Sequence, residues 1–246
     1  MLRLIIVAIF LVIFLILSLP FLLFEKLAAK HNQEKADYAQ LRVVQWAFRV
    51  VAYLSGVRLT LIGLENIPGD SPVLYVGNHQ SIFDIVIAYA HVPYRTGFVS
   101  KISNAKLPVV ALYMKRLYCL FLDRDNIREG MKTILQAIDH VKNGISIFIY
   151  PEGTRNKNED ETVLLPFHNG SFKIAQKGRC PIIPVSINNS AAIFEKHVPF
   201  LHRTHVILEF GKPISYEELT PEARKDIGEH FRSILTDMIK KNQALI

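Results

Sequence analysis

Pro72-Val73-Leu74-Tyr75-Val76-Gly77-Asn78-His79-Gln80-Ser81-Ile82-Phe83-Asp84 leads from a short apolar segment through a polar turn into a second apolar run at 85–90. That order reads as strand, turn and helix. It sets His79 in the turn and Asp84 in the first helical turn, five positions later. The ordinary pKa of histidine lies near neutrality, and a carboxylate on one ring nitrogen fixes the tautomer and leaves the other nitrogen as a base. Such a pair activates hydroxyl groups. The same residues carry a second meaning, because Ser81-x-x-Asp84 ahead of an apolar run is also a capping box. In that reading Asp84 serves only the helix N-terminus.

Outward from this stretch, short apolar segments alternate with amphipathic ones. Strands are expected at 57–67, 72–76, 97–100, 118–122, 145–150, 182–187 and 205–210. Helices are expected at 82–91, 105–115, 126–142, 171–176 and 221–242, with Pro68-Gly69-Asp70 a turn and Asn143-Gly144 a helix stop. Thr220 and Pro221 supply a cap and a first helical residue for the last helix. The alternation predicts an α/β fold with a mixed, largely parallel sheet flanked by helices.

The chain has 246 residues, enough for one globular domain with an appendage. Residues 4–24 carry no charge and only Ser18 is strongly polar, so 1.5 Å per residue takes them across a hydrocarbon core of ~30 Å. A retained membrane anchor is expected here, with Pro20 a candidate kink. Arg3 precedes the segment while Lys26, Lys30, Lys35 and Arg42 follow it, which orients the main body toward the cytoplasm. Residues 38–54 read as a helix with Arg42, Gln45 and Arg49 on one face, suited either to lying along a bilayer or to packing on the domain. The expected division is therefore membrane-associated helices over 1–55 and a globular domain over 56–246. The net charge of +7 suits nucleic acid, an anionic bilayer or an anionic substrate equally. Cys119 and Cys180 have neither disulfide-framework nor metal-ligand spacing and are expected to be buried, inert thiols.

In open α/β sheets ligands gather at the carboxyl ends of strands. Four polar groups fall there: Asn78 to Asp84, Lys101, Asp123-Arg124, and Tyr150-Pro151-Glu152-Gly153-Thr154-Arg155. Gly153 permits close backbone approach, Arg155 offers a donor fork matched to phosphate oxygens, and Glu152 can orient an arginine or accept from a hydroxyl.

Together these residues resemble the glycerophospholipid acyltransferase family. The resemblance rests on four blocks in order: Asn78-His79 with Asp84, then Phe121-Leu122-Asp123-Arg124, then Tyr150 to Arg155, then Pro181-Ile182-Ile183-Pro184-Val185-Ser186. Val99-Ser100-Lys101 and Leu165 to Phe172 match further segments, so the likeness spans about 57–210. Departures are Tyr150 where the family usually has Phe, Asn156 where Ser is usual, and glycines missing at Ala111 and in Tyr118-Cys119-Leu120.

The resemblance implies a glycerol-3-phosphate acyltransferase-like fold and acyl transfer from acyl-CoA or acyl-carrier protein to the free sn-2 hydroxyl of lysophosphatidate. It implies His79 as base and Asp84 as its partner, with Lys101, Arg124, Glu152, Gly153, Thr154 and Arg155 holding substrate. Backbone amides near Val185 and Ser186 are the expected oxyanion donors. It further implies no metal, no cofactor and no nucleic acid, with lipid substrate met at an anionic inner-membrane surface. The competing classes are an acyltransferase for another lysophospholipid headgroup, a metal-dependent hydrolase and a non-catalytic anionic-lipid adaptor.

Overall fold

The computed structural model describes residues 1–69 and 71–246; the expected turn at 68–70 lies partly outside them, at Asp70. Seven strands form one sheet in the order β1-β7-β6-β2-β5-β3-β4. They are β1 (Val57–Ile62), β2 (Leu74–Gly77), β3 (Thr96–Lys101), β4 (Leu120–Leu122), β5 (Ser146–Ile149), β6 (Ile182–Asn188) and β7 (Thr204–Phe210). β2 runs parallel to β5 and β6, and β3 parallel to β5 and β4, while β7 pairs with β6 antiparallel. The sheet is mixed, largely parallel and flanked by helices, as the alternation predicts.

The chain divides into two compact units. The larger one comprises 60–80, 96–188 and 207–246. On one face of its sheet, Leu74 and Val76 of β2, Ile147 and Ile149 of β5 and Ile182 of β6 are buried against helices. Those helices are α6 (Ile127–Lys142), α7 (Lys173–Gly178) and α9 (Ile227–Gln243), which contribute Val141, Ile174, Phe231 and Leu235. The alternating residues point the other way and are aromatic. Tyr75 stacks on Phe148 at 5.6 Å and Phe98 on Phe148 at 4.5 Å between ring centroids. Gly77 shares that side because a Cβ there would meet the Phe148 ring at 3.0 Å.

The smaller unit comprises Met1–Leu59, Ser81–Arg95 and Asn189–Val206. It holds α1 (Leu2–Leu17), α2 (Leu19–Ala28), α3 (Gln33–Ser55) and α4 (Ile82–His91). Asn32 caps α3 by accepting from the Lys35 amide, and Gly56 ends it at φ 86°. Phe10 of α1 meets the Trp46 ring of α3 edge-on at 5.9 Å. Gln45 and Arg49 turn toward the last carbonyls of α4: Gln45 Nε2 donates to Tyr89 O and Val92 O, and the Arg49 guanidinium to Ala90 O. A helix end leaves such carbonyls without partners and carries partial negative charge, so a cation and an amide satisfy both needs. This face of α3 therefore packs on α4, within the same unit.

Three helical segments differ from the sequence expectation. The apolar segment 4–24 is not one continuous helix but is bent, as a kink near Pro20 would have it: α1 and α2 meet at 42°, no single helix among the described residues is long and apolar enough to cross a membrane, and the pair together meets that test by length and composition only. Pro20 lacks the N–H that would donate to the Ile16 carbonyl, and the Ser18 hydroxyl turns back to Leu15 O at 3.2 Å. The helix expected at 221–242 is two, α8 (Pro221–Lys225) and α9, separated at Asp226, whose side chain caps α9. The helix expected at 105–115 begins only at Pro108, as α5 (Pro108–Arg116), after a 3-10 turn over Ile102–Lys106.

Candidate active site

The parallel register brings the polar groups of the larger unit to one edge of the sheet. Val76 of β2 pairs with Ile149 of β5, so His79 and Glu152, each three residues farther on, emerge side by side. The His79 amide donates to Glu152 Oε1 at 2.8 Å, and the His79 carbonyl accepts from the Asn156 amide at 2.7 Å. Both backbone groups of His79 are thus held by the segment after β5. Its ring stacks on Tyr150 at 4.3 Å and 18°, and Tyr150 lies 5.0 Å from Phe148, so the imidazole ends the aromatic row of the sheet.

Just before it, Asn78 is fully buried and acts as a backbone mimic. Its Nδ2 donates to Ile187 O at 2.9 Å and its Oδ1 accepts from the Ile187 amide at 2.8 Å. This extends the β2–β6 ladder one step past Gly77 and fixes where the turn begins.

Glu152 is buried, and both of its oxygens reach backbone amides: Oε2 accepts from the Leu165 amide at 2.9 Å while Oε1 holds His79. Gly153 follows at φ 72°, where a Cβ would also sit 3.1 Å from the His168 ring. Asn156 holds the rest of the loop, donating from Nδ2 to Val163 O and accepting from the Asn158 amide. Thr154 and Arg155 stand exposed between these braces.

Lys101 ends β3 opposite Leu122, the last residue of β4, and Arg124 follows two residues on. Both are exposed. At ~4.8 Å between strands, β3 and β4 lie two and three places from β2, or roughly 10 and 14 Å along the edge. Desolvation lowers the Arg124 guanidinium pKa, with Asp125 opposing it, and arginine still stays cationic at neutral pH.

In the smaller unit, Asp84 occupies the first turn of α4 and is fully buried. Its Oδ2 accepts from the Ser81 amide at 2.8 Å and the Ser81 hydroxyl accepts from the Phe83 amide at 3.0 Å, so the capping box read from sequence is present.

The amides of Val185 and Ser186 do not fit the oxyanion expectation. β6 has β2 on one side and β7 on the other, and pairing with Gly77, Phe210 and Glu209 commits its amides to the ladder. Cys180 is buried as expected while Cys119 is half-buried, and desolvation pushes both thiols up to about 12, which makes them inert near neutral pH. Among the described residues no group of three or more His, Cys, Asp or Glu side chains is placed to hold a metal ion. Sequence reading gave no role to Asn78, to the Tyr150 ring or to Asn156. Their partners lie 109, 71 and 77 positions away, beyond any local pattern.

Comparison with known proteins bears on this arrangement. The chain covers 95% of the crystal structure of the 1-acyl-sn-glycerophosphate (LPA) acyltransferase PlsC from Thermotoga maritima, with 98% of its own length matched, a TM-score of 0.82 and 22% identity, which shows a shared fold. It is 30% identical to the 1-acyl-sn-glycerol-3-phosphate acyltransferase of Borreliella burgdorferi over 80% of this chain and 76% of that one. It is 29% identical to the enzyme of that name from Saccharomyces cerevisiae over 84% and 68%, and 32% identical to that from Escherichia coli over 68% and 66%. The family model described as Acyltransferase matches residues 58–188, a span that runs from β1 to the end of β6 and includes both His79 and Asp84. The chain belongs to the acyltransferase family.

Proposed function

We propose that this chain transfers an acyl group from a thioester to the sn-2 hydroxyl of 1-acyl-glycerol-3-phosphate, giving phosphatidate. The observation that carries the reading is the holding of His79: its amide and carbonyl are both bonded, its ring is stacked, and Asp84 follows five residues later in the first turn of a helix. A base fixed by backbone and stacking is preorganised for proton transfer.

In this mechanism Asp84 orients the imidazole, and His79 takes the proton of the acceptor hydroxyl as its oxygen attacks the thioester carbonyl carbon. The C–O bond forms, the C–S bond breaks, and the imidazolium returns the proton to the departing thiolate. No covalent acyl-enzyme is needed. A positioned base supplies ~10²- to 10⁴-fold, and alignment of two bound substrates supplies more. The substrate phosphate is assigned to Lys101, Arg124 and Arg155, with Gly153 and Thr154 shaping the loop around it. Glu152 holds that loop against His79.

The donor is acyl-CoA or acyl-carrier protein, and no cofactor or metal is invoked. Delivery of an amphiphilic substrate is assigned to α1 and α2, whose large apolar side chains, such as Leu2, Leu17, Leu23 and Phe24, are exposed. The basic residues that follow them orient the catalytic part to the cytoplasmic side of an anionic inner membrane.

The test is acyl transfer by the purified full chain in mixed vesicles. Each donor is offered with lysophosphatidate and with lysophospholipids bearing choline, ethanolamine or glycerol. Product from lysophosphatidate alone, lost in His79→Ala, is the expected result. Turnover on another headgroup would overturn the substrate assignment, and turnover surviving in His79→Ala would overturn the mechanism.

A further inference from the structure

A carboxylate remote in sequence grips the start of α4. Glu195 stands in a short 3-10 turn, Glu195–His197, more than a hundred residues from the helix whose N-terminus it meets. Its Oε2 accepts from the Ser81 hydroxyl at 2.6 Å and its Oε1 from the Ile82 amide at 2.8 Å. The Ser81 hydroxyl accepts in turn from the Phe83 amide, the Ser81 carbonyl accepts from the Asp84 amide at 3.2 Å, and the Ser81 amide donates to Asp84 Oδ2.

The N-terminus of α4 already has its own capping box, which by itself is enough to begin a helix. Beyond that box, Glu195 takes the Ile82 amide, one of the helix's orphan donors, and the Ser81 hydroxyl as well. What it adds is direction. Asp84 Oδ2 accepts from the Ser81 amide, so the placement of its carboxylate follows that of the Ser81 backbone. Glu195 holds that segment at two adjacent points, the Ser81 side chain and the Ile82 amide. These lie between position 79 and position 84.

We infer that Glu195 is a positioning residue for acyl transfer, holding the 81–84 segment so that Asp84 presents its carboxylate in the orientation the reaction needs. The inference rests on the reading of His79 and Asp84 as the catalytic pair. It assigns to 189–206 a part in the chemistry through Ser81, without contact with substrate.

The experiment measures kcat and both KM values for the full chain in vesicles containing lysophosphatidate, with acyl-CoA as donor. The variants are Glu195→Ala, Glu195→Gln, Ser81→Ala, the double Ser81→Ala/Glu195→Ala and His79→Ala. Misplacing a reacting group by about 1 Å costs up to about 100-fold, so Glu195→Ala should lower kcat by about 10- to 100-fold and change each KM by less than about 3-fold. Glu195→Gln should recover part of kcat, because its amide oxygen still accepts from Ile82. The double variant should fall short of the product of the two single effects, as expected for residues acting as one unit.

A kcat for Glu195→Ala within twofold of the parent overturns the inference. So does multiplicative loss in the double variant, or a loss matching the fraction of protein that has unfolded by circular dichroism. Should Glu195→Ala fail to fold, the split between kcat and KM in Glu195→Gln decides the matter alone. Full turnover by His79→Ala would bring down the catalytic pair itself, a result separable from every Glu195 outcome.

Discussion

Replacing Glu152 by Gln separates two jobs that a carboxylate at this position can have. If it contacts substrate, the change raises a KM and leaves the fold alone. Its bonds predict otherwise. Both oxygens accept from backbone amides, of His79 at 2.8 Å and Leu165 at 2.9 Å, and the side chain is only 4% exposed. A hydrogen bond to a charged group contributes roughly 1.5–3 kcal/mol, and a buried donor left without a partner costs roughly 1–3 kcal/mol. Glutamine keeps one acceptor and turns an NH₂ group toward the other amide, so one of the two bonds is lost and a donor faces a donor. The expected loss is about 2–4 kcal/mol for Glu152→Gln and somewhat more for Glu152→Ala. With a urea slope of ~3 kcal/mol/M, the midpoint should drop by roughly 1 M. Equilibrium urea unfolding of the full chain in a mild detergent, followed by far-ultraviolet circular dichroism, reads this directly. Native hydrogen exchange should localise the loosening to the amides of His79 and Leu165. A parent-like midpoint for Glu152→Gln, together with a raised KM, would refute the reasoning and return Glu152 to the substrate.

Asn78→Ala should cost about 2–5 kcal/mol, since it strips both the amide and the carbonyl of Ile187 of their bonds at a fully buried site; a change below about 0.5 kcal/mol in the same titration would count against the clamp. The pKa of His91 is lowered from 6.5, first by burial and then by the Arg49 charge, against its bond to the Ile87 carbonyl. The unfolded chain therefore binds the proton more readily, so stability rises with pH up to about 6.5 and is lost as pH falls below it. His91→Gln should flatten that acid limb, and an unchanged limb would exclude His91 as its source. With both thiols pushed up to about 12, Cys119 and Cys180 should resist iodoacetamide at pH 7 in the folded chain and react once unfolded; prompt labelling of the native protein would contradict the raised pKa of the thiols.

Much of the scaffold is legible because its signals are local. α4 begins and ends where expected, at Ile82 and His91, since Ser81 caps it and Val92 precedes a proline. The apolar runs of β2, β5 and β6 are read for a similar reason: strands covered on both faces need no alternation. What escaped notice is long-range or geometric. β1 stops at Ile62 rather than 67 because Gly63 turns at φ 74°, where a Cβ would strike the Phe210 carbonyl, a partner far along the chain. β4 is short because Tyr118 takes φ 59°. In the site the motif residues were visible, but not the division of labour among them. Glu152 looks like chemistry in the sequence, yet both of its oxygens accept from backbone amides, and Asn78, given no role there, clamps the backbone of Ile187. Glu195 lies outside the four sequence blocks.

Apolar side chains outside the core have a practical bearing on how this molecule is handled. On α6, Ile127, Met131 and Leu135 form an exposed row at intervals of four, in addition to the uncovered faces of α1 and α2. Solvatochromic dyes such as anilinonaphthalene sulfonate bind surfaces of this kind, and their fluorescence is ordinarily taken to report loosened packing. In this chain the intact fold should already light them up. A dye-based melting curve would start high and fall, or show no transition at all, while the protein unfolds normally. The stacked rings of Phe98, Phe148 and Tyr75 offer a better reporter, because their near-ultraviolet ellipticity depends on fixed mutual orientation and vanishes with it.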